Sequence, residues 1–152
     1  MTSSLTIRAA TIADIDTLVA LYADDALGQT RDGRPGTDDA YRAAFDAIDG
    51  DPNHILAVGE LEGRVVATLL LSFLPGLSRG GSWRAQIEAM RVASDHRGGG
   101  LGRAMLDWSI EQARARGCAL VQLTSDRQRP DAHRFYERAG FTPSHYGFKL
   151  SL

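Results

Sequence analysis

The chain has 152 residues, 43% hydrophobic and 24% charged, which suits one globular domain (1–152) long enough to bury a proper core. A net charge of −2 and a pI near 6.1 argue against the broad basic footprint of a nucleic-acid binder; the single cysteine, Cys118, excludes an intrachain disulfide; and His54, His96, His133 and His145 show no metal-ligand spacing. The longest apolar stretch, 65–74, contains Thr68 and Ser72 and is far short of a membrane span, and no signal-peptide pattern opens the sequence, so the cytoplasm is the default location.

Leu5 to Arg8 alternates in polarity and predicts a short first strand. Thr11 stands three residues before Asp14, a helix-start pattern, and Ile15, Leu18, Val19 and Tyr22 then fall on one face of a helix reaching about Asp25. Gly28 to Thr37 is a loop by composition, of a kind that moves or binds. Thr37 or Asp38 caps a second helix carrying Tyr41, Phe45 and Ile48, which Gly50-Asp51-Pro52 closes. Ile55–Leu61 and Arg64–Leu74 read as strands joined through Glu62-Gly63 in a hairpin. Pro75 to Ser82 is a glycine-containing connection, and Trp83 opens a strand that runs through Gln86 to Val92.

From Leu101 the period changes to that of a helix: Leu101, Met105, Leu106, Trp108, Ile110 and Ala113 share a broad arc, with Arg103, Asp107, Glu111 and Arg114 opposite. Gly117 ends this helix, and Cys118 reads as a small core residue. Ala119 to Thr124 is a strand, made parallel to Gln86–Val92 by a right-handed crossover. Pro130 to Phe141 signals a short helix, with proline at its first position, Gly140 past its end, and Ala132, Phe135, Tyr136 and Ala139 in one stripe. Phe141 to Leu150 finishes as one or two strands. Charge is uneven along the chain: residues 1–51 hold ten aspartates against four arginines, a balance of −6 that leaves +4 for the rest. Two separate binding regions or merely an acidic solvated face would account for that.

The turn Arg97-Gly98-Gly99-Gly100-Leu101-Gly102 lies between a strand and a helix, where free backbone N–H groups and the helix dipole favour an anion. A P-loop would require Lys-Ser or Lys-Thr where Arg103-Ala104 stands, and Gly-x-Gly-x-x-Gly fails because Arg103 or Met105 falls at its sixth position. Arg-x-x-Gly-x-Gly fits, through Arg97, Gly100 and Gly102, and a glycine turn serving only tight packing is the alternative. The fitted pattern resembles the coenzyme A pyrophosphate loop of the GNAT superfamily of acyl-CoA-dependent N-acetyltransferases. Ala132, Tyr136, Gly140 and Phe141 resemble that family's Ala-x-x-x-Tyr-x-x-x-Gly-Phe segment, and the order of elements is similar over nearly the whole chain, though only in outline before residue 80.

The resemblance implies an α/β fold with a mixed, mostly antiparallel sheet, a parallel pair splayed at an acetyl-CoA site, and about four flanking helices. It implies acetyl-CoA as co-substrate and a small-molecule amine acceptor and leaves a homodimer possible, while the histidine spacing, charge and apolar lengths above lead us to expect no metal and neither nucleic acid nor membrane as partner. Met90, Arg91, Val92, Arg97, Gly98, Gly99, Gly100, Leu101, Gly102, Arg103 and Arg129 would hold the coenzyme. Arg129 is a departure, since many members carry Asn there. An alkylamine with a pKa of about 10.4 is almost wholly protonated at neutral pH, so its attack on a thioester needs a base. The resemblance gives that role to Glu88, acting directly or through water; a charge on a sheet face, or an ion pair with Arg91 or Arg84, is the alternative. Backbone groups at Met90 to Val92 would polarise the carbonyl, and Tyr136 would protonate the leaving thiolate unless it only completes the helix stripe. The N-terminal helices and the Gly28–Thr37 loop flank the acceptor in GNAT relatives, so the acidic segment leads us to expect a cationic acceptor.

Overall fold

The register of the sheet is set at Glu62-Gly63, where φ of 51° and 79° gives the backbone twist of a type I′ turn. This turn joins β2 (His54–Leu61) to β3 (Arg64–Leu74) with Leu61 opposite Arg64. β3 is the central strand, and Val66, Ala67, Thr68, Leu69, Leu71, Ser72 and Phe73 are all buried because both of its faces are covered. The one hydroxyl at its centre is satisfied: Thr68 Oγ1 donates to the Ala57 carbonyl at 2.8 Å.

The computed structural model describes residues 4–25, 27–34 and 38–152, in two compact units, Met1–Gln122 and Leu123–Leu152. Pro35, Gly36 and Thr37, which the sequence places in a loop and at a helix cap, lie outside the described residues. β1 (Thr6–Ala9) pairs antiparallel with β2, β4 (Arg84–Val92) pairs antiparallel with β3, and β5 (Leu120–Leu123) lies beside β4, giving the order β1-β2-β3-β4-β5. Ala119 N donates to the Trp83 carbonyl at 2.8 Å and Gln122 Nε2 to Gln86 Oε1 at 2.9 Å. Partner numbers rise together along the two segments, so they run parallel and the sheet is mixed, as expected.

Among the helices, α1 (Ile15–Ala23) follows a 3₁₀ turn at Ile12–Asp14, and α2 (Asp38–Asp49) follows the loop. Leu18 and Leu21 of α1 and Phe45 of α2 join Val58 and Val66 in one buried cluster. A single turn, α3 (Ser78–Gly81), interrupts the Pro75–Ser82 connection. α4 (Leu101–Ala115) buries Met105, Leu106 and Ala113 as its periodicity requires, together with Ser109, which satisfies its hydroxyl on the Met105 carbonyl at 2.9 Å. Its C-terminus closes through Gly117, at φ 74°, and Cys118 N donates to the Ala113 carbonyl at 2.9 Å.

In the second unit α5 (Pro130–Arg138) begins with proline and ends before Gly140, at φ 97°. Tyr136 packs edge-on against Phe135 and Phe141, with ring centroids 5.1 and 5.9 Å apart. One expectation is overturned here: Phe141 to Leu150 forms no strand. Tyr146, Phe148 and Leu150 have the alternation of a strand but are 88%, 92% and 87% exposed, and alternation alone makes no ladder without a neighbouring edge.

Candidate functional site

The end of β4 is irregular. Leu70 lies opposite Glu88 and Thr68 opposite Arg91, so Leu69 alone faces the two residues Ala89 and Met90. That is a β-bulge, and Ala89 takes φ 52°, a left-handed conformation rare outside glycine. A bulge leaves an extra residue unpaired and bends the strand; Met90, Arg91 and Val92 are all half-buried, with Arg91 and Val92 back in register opposite Thr68 and Ala67. Glu88 stands just before the bulge with its side chain exposed, and among the described residues no ion pair includes it. Arg91, offered by the sequence as a partner for Glu88, instead has its Nε 3.1 Å from Asp25 Oδ2, with the two side chains only 11% and 21% exposed.

After β4 a 3₁₀ turn (Ser94–His96) leads into the glycine segment. Gly98 and Gly100 have φ 82° and 83°, and Gly100 is the N-cap of α4 with no side-chain cap. The first bond of the helix ladder is Ala104 N to the Gly100 carbonyl at 3.1 Å, so Leu101, Gly102 and Arg103 present N–H groups ahead of it. A Cβ on Gly98 or Gly100 would meet nothing within 4 Å, so these glycines serve the backbone conformation and keep the approach to the N–H groups open, not a crowded packing. An uncapped 15-residue helix behind such a turn fits a pyrophosphate. Arg103 is exposed and paired with Asp107 at 2.9 Å, one helical turn on.

Arg97 is held on the other side of the turn. Its Nε donates to the Val92 carbonyl at 3.1 Å and its Nη2 to the Asp24 carbonyl at 3.2 Å, while Ser94 N donates to Asp24 Oδ2 at 3.3 Å. Asp24 and Asp25 at the end of α1 thus tie that end of the helix to β4 and the glycine turn. Asp25 Oδ1 also accepts from Gly28 N, and Gly28 is buried so tightly that a Cβ would sit 1.8 Å from the Tyr22 carbonyl oxygen. Further on, the Tyr41 hydroxyl donates to Asp32 Oδ1 and accepts from Gly33 N, both at 3.0 Å. Tyr22 lies inside this junction, where burial pushes its phenol up and a hydrogen bond with Thr68 works against that. The sequence counted Asp24, Asp25 and Asp32 only as acidic charge; their signal was position, two carboxylates at a helix end beside a glycine.

Tyr136 and Arg129 belong to α5 of the second unit. Tyr136 is half-buried within its aromatic trio, and Arg129 is exposed at the N-cap, its carbonyl accepting from His133 N at 3.2 Å. Cys118 is half-buried, and burial pushes its thiol up, which disfavours the reactive thiolate. Among the described residues no group of three His, Cys, Asp or Glu could hold a metal ion.

Residues 17–141 match the model of the acetyltransferase (GNAT) family, a span that includes the bulge, the glycine turn and α5. The chain is 33% identical over 146 residues to an aminoalkylphosphonate N-acetyltransferase of Salmonella typhimurium, covering 96% of this chain and 90% of that one. It is 35% identical over 91 residues, 59% of each chain, to a glucosamine 6-phosphate N-acetyltransferase of Trypanosoma brucei brucei. Among solved structures, a protein of Bacillus halodurans described as a transcriptional regulator superposes with a TM-score of 0.94 at 44% identity, over 98% of this chain and 100% of the other.

Proposed function

The chain belongs to the GNAT acetyltransferase family, and from that premise we propose that it moves the acetyl group of acetyl-CoA directly to the primary amine of a small acceptor. The observation that carries this reading is the β-bulge at Ala89 in β4 followed by a glycine turn with no side-chain cap, ahead of whose first helix bond Leu101, Gly102 and Arg103 present N–H groups. The turn receives the pyrophosphate, and the backbone at Met90 to Val92 holds the pantetheine arm and the charge that develops on the thioester oxygen. Glu88, exposed beside the bulge, takes the proton of the amine, directly or through water, as its nitrogen bonds to the acetyl carbon. Tyr136 returns a proton to the sulfur as the carbon–sulfur bond breaks, so the products are an amide and free coenzyme A.

Two acceptor classes are proposed in order. The first is an amine bearing a phosphonate or phosphate, since the Salmonella typhimurium and Trypanosoma brucei brucei relatives are named for such acceptors. The second is a cationic amine, which rests on the −6 balance of residues 1–51; Asp14, Asp24, Asp25 and Asp32 are committed to partners within the fold, while Asp38 and Asp39 remain exposed on α2. The experiment is thiol release from acetyl-CoA against a panel of aminoalkylphosphonates, amino sugar phosphates, polyamines and neutral amines, at two salt concentrations. Tyr136→Phe should lower turnover by on the order of tenfold to a thousandfold at little cost in acetyl-CoA affinity. Glu88→Gln should lower the rate most below the pKa of the amine, where a base is needed. Acetyl-CoA binding with no thiol release from any amine would favour a second reading, a non-catalytic acyl-CoA sensor, which the description of the 44% identical relative as a transcriptional regulator keeps in play.

A further inference from the structure

Three arginines of the first unit are half-buried, and two of them have countercharges. Arg8 is paired with Asp14 and Glu60, and Arg91 with Asp25. Arg84, the first residue of β4, has neither an ion pair nor a side-chain hydrogen bond among the described residues. Room is nevertheless kept for it, since a Cβ on Gly76 would lie 3.3 Å from Arg84 Nη1. A guanidinium partly withdrawn from water without a countercharge is costly, and a bound anion removes that cost.

The strand shows what such an anion would be part of. The register of β3 with β4 is unbroken from Leu74 opposite Arg84 to Leu70 opposite Glu88, so Arg84, Gln86 and Glu88 share one face and Ala85 and Ile87 the other. The second face is closed, with Ala85 and Ile87 only 0% and 3% exposed, whereas on the first Arg84 and Gln86 are half-buried and Glu88 is exposed. Gln86 is held by Gln122, whose Nε2 donates to Gln86 Oε1 at 2.9 Å and leaves the Gln86 NH2 as a donor. One face of one strand thus carries a cation, an amide donor and a carboxylate in order, all within the first unit.

We propose that Arg84, with Gln86 beside it, receives the phosphonate or phosphate of the acceptor while the acceptor's amine lies at Glu88. This assignment rests on the acetyl-transfer reading above and names the residues that select its substrate. Four strand steps separate Arg84 from Glu88 by about 13 Å; allowing about 3 Å from amine to carboxylate and about 4 Å from guanidinium to phosphorus leaves roughly 6 Å between nitrogen and phosphorus. A chain of about four carbons, or an amino sugar phosphate, spans that distance.

The test is kcat/KM by thiol release for aminoalkylphosphonates of two to five carbons and for plain alkylamines of the same lengths, in the wild type, Arg84→Met and Arg84→Lys. The wild type should prefer the phosphonates, most strongly at about four carbons. Arg84→Met should cut that preference about ten- to a hundredfold, and Arg84→Lys, which keeps the charge, should cut it less. An Arg84→Met chain that does not fold leaves the chain-length preference and its weakening in Arg84→Lys as the test. A wild type that acetylates amines without distinguishing the two series overturns the proposal, as does an Arg84→Met that slows both series equally, the mark of a purely structural arginine. Butylphosphonate, which has no amine, separates this subsite from the catalytic reading. Its binding to protein saturated with coenzyme A, measured by calorimetry, should be at least tenfold weaker in Arg84→Met. That loss with no thiol release from any amine sinks the acetyl transfer and upholds the subsite; no binding by the wild type, or equal binding by both proteins, overturns the subsite.

Discussion

Gly100 and Ala89 stand at φ 83° and 52°, eleven residues apart in sequence, one in the turn that follows β4 and the other in the bulge within it. At the glycine turn the conformation is intrinsic, because a residue without Cβ adopts it freely. At the bulge an alanine is held where L-residues pay roughly 1–2 kcal/mol, so the conformation must be imposed by the neighbouring strand and the packing beneath it. The first can be recognised from residue type, whereas the second is visible only in the register of two strands. Their anchors differ likewise: Arg91 after the bulge and Asp25 are largely buried, whereas Arg97 and Asp24 at the turn are 49% and 45% exposed and 3.9 Å apart.

Substitutions can sharpen or break this contrast. The largest effect is expected at Asp25→Asn, which leaves Arg91 partly buried without its countercharge and should lower unfolding free energy by about 3 kcal/mol in a denaturant titration. Asp24→Asn, acting on the exposed pair, should cost under about 1 kcal/mol, and equal losses would remove the distinction between the anchors. Next, Gly100→Val should weaken acetyl-CoA binding well over tenfold by calorimetry while the domain still folds; unchanged affinity would end the assignment of the turn. Ala89→Val, a β-branched residue at φ 52°, should destabilise by about 1–2 kcal/mol, whereas Ala89→Gly should be neutral or stabilising by up to about 1 kcal/mol in thermal melts. A destabilised Ala89→Gly would mean that the bulge is unstrained.

A pH control lies away from the site. The Arg8 guanidinium holds the Asp14 carboxyl below its ordinary value, against an opposing burial cost, and Thr11 N adds a hydrogen bond of 2.8 Å. A depressed carboxyl stabilises the fold above its unfolded pKa of about 3.9 and loses that contribution as pH falls through the folded value. Asp14→Asn should therefore cost about 1 kcal/mol at pH 7, with Arg8 partly exposed, and progressively less below pH of about 4. A loss that stays constant down to acid pH would assign the effect to packing.

The strand, helix and turn order was legible wherever residue type and local conformation agree: the Glu62-Gly63 hairpin, the proline that opens α5, the glycines that begin and follow α4. The parallel placement of β5 was also legible, because chain chirality leaves little choice for a strand–helix–strand crossover. Ser109 was not, since a serine that bonds its own helix carbonyl looks polar in a list of residues and is buried in the fold. Nor were the partners of Arg91 and Arg97, which lie 66 and 73 residues away at Asp25 and Asp24. Sequence by itself determined the family resemblance, because its motifs rest on residues close together in the chain, and it is the resemblance that points to the anion turn and to Glu88 and Tyr136 as candidate base and acid. Only the tertiary structure decided the bulge at Ala89, the carboxylates that lock α1 to β4, and the absence of a strand at 141–150. Each of those depends on which backbone lies alongside, and a ladder or an ion pair exists only when both of its sides are present.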